Sequence, residues 1–206
     1  MTINKHSEFL TPDNAVLAMI DHQTGLMSCV GDEYPTVLKN NILGLCNTVK
    51  EVGMPSVITA SLPQGPNGPV MPEIVDILQS HVIEREGQIN AWDSNAFTDA
   101  IKSTGRKKII MAGIVTDVCL LFPALSAVAE GYDVYAVIDA SGTWNKTVQE
   151  VTIHRLTQAG VKLTTWASVL AEIMNDWRSP HGEVLGQVLT NHTAPYGYVM
   201  NSHFSK

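Results

Sequence analysis

Short runs of consecutive apolar residues recur along this chain, with helix-period segments between them. That alternation limits the fold more than any other feature. "NAVLAMID" carries an unbroken apolar run from Val16 to Ile20 and ends at Asp21. A strand with one wet face alternates apolar and polar residues; a continuous apolar run belongs to a strand covered on both faces. "PSVITAS", "HVIER", "KKIIMAGI", "YDVYAVID" and "VKLTT" read as five further strands.

Helical patterns fall between them. "PTVLKNNILGLCNTVKEVG" places Val37, Leu38, Ile42, Leu45, Cys46 and Val49 at helical spacing and stops at Gly53. Glu73 to Leu78 reads as a short helix. Asp93 or Ser94 caps a helix through Phe97, Ile101 and Ser103. Val118 to Ala129 and Thr147 to Ala159 end at Gly131 and Gly160. Ala167 to Trp177 and Glu183 to Leu189 complete the set, and the tail from Asn191 shows no clear period. The segment from Leu62 to Glu73, with four prolines and two glycines, is a loop. The pattern predicts an α/β fold, a three-layer sandwich whose parallel sheet has helices on both faces. No repeat or internal boundary divides it, so residues 1–206 read as one domain with a C-terminal arm, 178–206.

In such sheets ligands bind beyond the carboxyl ends of the strands. Asp21 follows strand one, Ser61 strand two and Arg85 strand three. Val115 to Cys119 follow strand four, and Asp139 to Trp144 strand five. An acid, a cation and a thiol thus share one edge. A thiol near a helix N-terminus is inclined toward thiolate, and neighbouring amides face a developing oxyanion. Asp21 is placed to take the thiol proton and return it to a leaving amine. Arg85 balances charge, since a guanidinium does not shuttle protons.

Each residue also has a plainer reading. Cys119 suits a core as a small hydrophobe. Asp21 suits a cap, and Arg85 a surface cation paired with Glu84 and Glu86. A Cys–His dyad with His22 is disfavoured because adjacent side chains diverge. Trp92 and Trp144 suit a pocket wall or an oligomer contact.

Other chemistries are excluded more directly. The net charge of −7 gives no basis for binding nucleic acid or an anionic membrane. No apolar run approaches the roughly 18 residues of a membrane span, and no secretory h-region opens the chain. The three cysteines, widely spaced, suggest reduced thiols and a cytoplasmic location. No dinucleotide fingerprint, P-loop, nucleophile elbow or paired-histidine metal motif is present.

"AMIDHQTGL", "REGQINAWDSNAF" and "IIMAGIVTDVCLLFPALSAVAEGYDVYAVIDASGTWN" resemble the isochorismatase-like cysteine hydrolases, most of all their YcaC-type branch. The resemblance implies a six-stranded parallel sheet in the order 3-2-1-4-5-6. It implies a catalytic triad of Asp21, Cys119 and, where the family has lysine, Arg85. It further implies a cis peptide at Ile114–Val115 and an oxyanion hole from the Val115 and Cys119 amides. Gln23, Asn90, Trp92, Thr116 and Trp144 are then candidate substrate-binding residues. Nicotinamidases of the family bind metal after strand two; "ITASLPQGPNGPVMPE" holds no Asp or His there, so neither metal nor cofactor is expected. Retention of Cys119 points to amide rather than vinyl-ether cleavage. The branch also implies a ring-forming homo-oligomer, often an octamer. The expected partner is a small amide-like substrate. Two other readings stay open: a non-catalytic binding or scaffold oligomer, and, more weakly, redox sensing by Cys119, which needs a resolving thiol, although nothing in the sequence places Cys29 or Cys46 of the first βα segment near it.

Overall fold

The computed structural model describes residues 8–205. Its elements run β1 (Ala15–Ile20), α1 (Thr24–Met27), α2 (Pro35–Glu51), β2 (Ser56–Ser61), α3 (Pro72–Leu78), β3 (Val82–Arg85), α4 (Asn95–Ser103) and β4 (Lys108–Gly113). They continue with α5 (Leu121–Ala129), β5 (Asp133–Val137), α6 (Lys146–Gln158), β6 (Lys162–Thr164), α7 (Trp166–Met174), α8 (Gly182–His192) and α9 (Ala194–Phe204). The six strands form one sheet, ordered β3-β2-β1-β4-β5-β6, and every adjacent pair is parallel.

The apolar runs do what their continuity requires. All six residues of β1 are buried. Leu17 and Met19 pack on one side with Leu38, Ile42 and Leu45 of α2 and Trp166 of α7. Val16, Ala18 and Ile20 pack on the other with Phe97 of α4 and Leu121 and Ala124 of α5. One strand therefore joins two cores, and the sheet is sealed on both faces. β6 is the exception: three residues long and partly exposed, it ends the sheet at an edge carrying Lys162, the kind of short charged strand that discourages further pairing.

Three local expectations change. Ser94 stands at the N-cap of α4, but its side chain makes no cap hydrogen bond. The cap is made earlier, where the Asn90 side chain accepts from Trp92 N at 3.1 Å and starts a 3-10 turn over Ala91–Asp93. The helix expected through Trp177 ends at Met174, where Asn175 turns the backbone to φ +57°. Trp177 instead stacks on Tyr196, ring centroids 6.0 Å apart. The aperiodic tail is a helix, α9, with Pro195 in its first turn. None of its residues is buried, so it has no apolar stripe for the sequence to display. Among the described residues no helix is long and apolar enough to cross a membrane.

Candidate active site

β1 and β3 lie two positions apart, with β2 between them, and their ends set the polar half of the site. Asp21, directly after β1, has a left-handed backbone at φ +57° and is fully buried. Such a conformation is uncommon for a residue with a side chain. It turns the chain off the sheet while Asp21 N still donates to Thr59 O at 2.9 Å. Arg85, the last residue of β3, is 2% exposed, which disposes of the surface-cation reading. Its Nη2 donates to Asp21 Oδ2 at 2.7 Å, its Nη1 to Thr59 Oγ1 at 3.2 Å and its Nε to Gln88 O at 3.1 Å. Thr59 had no distinguishing pattern in the sequence, yet it supports the fork from the strand between. Glu84 is turned outward and accepts from Gln64.

The thiol half comes from β4. The Ile114–Val115 peptide is cis. Cys119 sits within a π-helical turn, Thr116–Leu120, that precedes α5, rather than in the first turn of an α-helix. Gly113 makes the turn sterically feasible: a Cβ there would lie 2.9 Å from Leu120 N and 3.1 Å from Cys119 C. Cys119 is 8% exposed.

The expected helix-end thiolate is corrected. Burial pushes the Cys119 thiol well above its ordinary pKa, and the charge and hydrogen bonding of Asp21 push it further. A hydrogen bond to Val115 and the Arg85 cation oppose this without reversing it. At rest the sulfur therefore holds its proton against the Asp21 carboxylate. Asp21 Oδ1 is buried with no N–H or O–H partner among the described residues. A group with a free lone pair beside a protonated thiol is positioned as its base.

The backbone donors differ from the expected pair. Cys119 N–H is engaged, donating to Val115 O at 2.8 Å. Val115 N–H donates to no backbone carbonyl among the described residues and faces the Cys119 sulfur, whereas the next amide, Thr116 N, donates to Gly142 O at 2.9 Å. Thr116 Oγ1, fully buried, also lacks a partner. The Thr116 hydroxyl, three residues before the cysteine, is thus left for a ligand.

Three of the candidate substrate contacts are occupied elsewhere. Gln23 donates from Nε2 to Ser61 O and Gly68 O and accepts from Ser61 N, so its amide pins the proline-rich loop to β2. Asn90 caps its turn and reaches Ser126 Oγ at 3.1 Å. Trp92 gives its indole N–H to Glu130 at 2.7 Å and packs edge-on against Phe97 and Tyr132. These are core and loop ties, formed because each side chain finds its partners within the chain. Trp144, 46% exposed, stands on the loop after β5. A cleft of about 530 Å³ nearby is lined by Gly31, Asp32, Glu33, Tyr34 and Lys146.

His22 Nε2 lies 3.0 Å from Ala140 O. A carbonyl only accepts, so this nitrogen carries the proton. Burial lowers the His22 pKa to about 4, against the smaller opposing effect of that hydrogen bond. The ring is neutral, but it is tied to the loop after β5 and not to the thiol. The redox reading loses its nearest thiols. Cys46 is buried in the opposite core from Cys119, its pKa pushed up to about 12 by desolvation, and Cys29 is exposed after α1. Among the described residues no three of His, Cys, Asp and Glu gather as a metal shell.

A description of the isochorismatase domain matches residues 15–168. The probable hydrolase YcaC of Escherichia coli K12 is 44% identical over 195 residues, covering 94% of this chain and 93% of that protein. The solved YcaC of Pseudomonas aeruginosa, with hexane-2,5-diol and covalent acrylamide, superimposes with a TM-score of 0.94 at 42% identity. That match spans 97% of this chain and 98% of the other. The nicotinamidase/pyrazinamidase PncA of Bacillus subtilis shares the fold alone, with a TM-score of 0.63 at 14% identity over 73% of this chain and 99% of that one. A domain match across most of the chain, and a relative so similar along nearly its full length, make this protein a member of the isochorismatase family.

Proposed function

We propose that this chain is a cysteine hydrolase that cleaves a small amide-like C–N bond through a thioester on Cys119. The observation that carries the reading is the buried Arg85–Asp21 pair, 2.7 Å apart, together with a buried Cys119 thiol that burial and the Asp21 charge keep protonated. As the sulfur attacks the carbonyl carbon, its proton passes to Asp21 Oδ1. The oxyanion is met by Val115 N–H. Collapse breaks the C–N bond, and the amine leaves with the proton from Asp21. Water then attacks the thioester, giving one proton to Asp21 and regenerating the thiol as the acid departs. Arg85 remains charged throughout and keeps Asp21 in place.

Two relatives support this. The E. coli YcaC structure is described as an octameric hydrolase of unknown specificity. The P. aeruginosa structure carries covalent acrylamide, an electrophile with an amide group. On the same footing we infer a homo-oligomer, with the arm from residue 178 as an interface. α9 buries none of its residues, while Tyr198 and Phe204 are 75% and 76% exposed.

The test is a panel of small primary and secondary amides, read by amine or ammonia release and by intact mass for a hydroxylamine-sensitive adduct. Turnover that vanishes in Cys119→Ala and falls at least about a hundredfold in Asp21→Asn is expected. Turnover unchanged in Cys119→Ala would overturn the mechanism. A chain that forms no adduct with any amide would instead be the binding or scaffold oligomer.

A further inference from the structure

The turn bearing Cys119 does not hold itself. Three consecutive residues after β5 clasp it from the side. Ser141 Oγ accepts from Gly113 N at 3.1 Å, Gly142 O accepts from Thr116 N at 2.9 Å, and Thr143 Oγ1 donates to Asp117 Oδ1 at 2.7 Å. Gly142 and Ile114 also form an isolated parallel bridge. This segment is itself held from the loop after α1. Asp32 Oδ1 accepts from Thr143 N at 2.8 Å, and Gly31 N donates to Thr143 O at 2.8 Å. The other carboxylate oxygen of Asp32 accepts from Gln149 Nε2 at 2.9 Å. Asp32 is 3% exposed and Thr143 fully buried.

A buried carboxylate spent on one backbone amide and one carboxamide is a costly way to tie a loop. Its consequence lies at the end of the chain of contacts. Thr143 is the residue through which the loop after α1 reaches Asp117, two positions from the sulfur. Asp117 lies in the stretch "IIMAGIVTDVCLLF" that carries the family resemblance, yet no step of the hydrolysis uses it.

We propose that Asp32 and Thr143 are positioning residues for Cys119. Acting through Asp117, they hold the thiol in register with Asp21. This rests on reading Cys119 as the nucleophile. Small displacements of a reacting group cost large factors in rate, so the loop after α1 takes part in catalysis without touching the substrate.

The experiment follows Cys119 alkylation by iodoacetamide across neutral and alkaline pH, by peptide mass, on the full chain. Thr143→Val keeps the shape and removes the donor. Its apparent midpoint is expected to fall by about one unit toward that of an ordinary thiol, as Asp21 loses its hold on the sulfur. Thr143→Ser should restore the wild-type profile. Asp117→Ala, at a half-buried position, should reproduce the shift even if Thr143→Val folds poorly. Asp32→Ala should shift it as well, and Asp32→Asn, which retains an acceptor oxygen, should not. In an Asp21→Asn background none of these changes should move the midpoint further. A merely structural contact would lower the melting temperature and leave the profile alone. An unshifted profile in Thr143→Val and Asp117→Ala, in a protein whose wild-type profile does respond to Asp21→Asn, overturns the positioning role. A wild-type profile indifferent to Asp21→Asn removes the nucleophile reading itself, and the proposal with it.

Discussion

Arg85 Nη2 and Asp21 Oδ2 meet at 2.7 Å across the end of β2, with neither side chain more than 1% exposed. A pair this deep is expensive to form and more expensive to break by halves. Arg85→Met leaves a buried carboxylate without its cation and should cost about 3–5 kcal/mol in urea unfolding. Asp21→Asn combined with Arg85→Met should cost less than the sum of the two single changes, because the second removes the charge that the first exposes. A loss below about 1 kcal/mol for Arg85→Met would show the pair to be solvated.

The raised Cys119 pKa has a sign that can be read directly. The alkylation rate of wild-type protein should keep rising beyond about pH 8.5, where an ordinary thiol levels off. Asp21→Asn removes a charge and a hydrogen bond that hold the proton on sulfur, so its midpoint should fall. Arg85→Met removes a cation that favours thiolate, so its midpoint should rise. A wild-type plateau below the ordinary thiol range would contradict the buried, protonated sulfur.

His22 makes acid a stress on the fold. Its pKa drops from 6.5 to about 4, because burial disfavours the imidazolium. The neutral ring's contribution is therefore complete above the unfolded value and is lost as pH falls from 6.5 toward 4. The loss should approach about 3 kcal/mol. His22→Gln can still donate to Ala140 O and does not titrate, so its urea midpoint should vary less over that interval. An equal slope in both proteins would place the acid sensitivity elsewhere.

If α9 is an interface, charge on its exposed aromatics should dissociate the assembly without unfolding the subunit. Phe204→Glu and Tyr198→Glu change residues that are 76% and 75% exposed. Light scattering should show a smaller particle, while far-UV circular dichroism at matched concentration stays close to wild type. An unchanged mass in the double variant would move the interface away from the arm.

Much of this site was legible in the chain because strand ends in a parallel sheet share one edge. Continuous burial wrote β1 and β4 into the sequence as unbroken apolar runs, and the residues just beyond them, Asp21 and Cys119, could be placed at that edge. Arg85 was harder to place. Flanked by Glu84 and Glu86, it has the local signature of a surface cation, and only the neighbouring strand shows that it is buried. Gln23, Asn90 and Trp92 went the other way. Their side chains suit a pocket, but nothing in their spacing reveals that Ser61, Ser126 and Glu130 already occupy them.

The sequence by itself determined the layers: apolar periodicity depends on which side of an element meets water, and that is local to each segment. Glycines after the helices and the order of strands and helices belong to the same local record. Tertiary structure decided the chemistry. Whether Cys119 rests as thiol or thiolate depends on its burial and then on Asp21, 98 residues away in number but close enough in space to act on it. Whether the turn around it holds its place depends on Ser141, Gly142, Thr143 and Asp32. Electrostatic and hydrogen-bond energies fall steeply with distance. They are therefore properties of positions in space, which no spacing along the chain encodes.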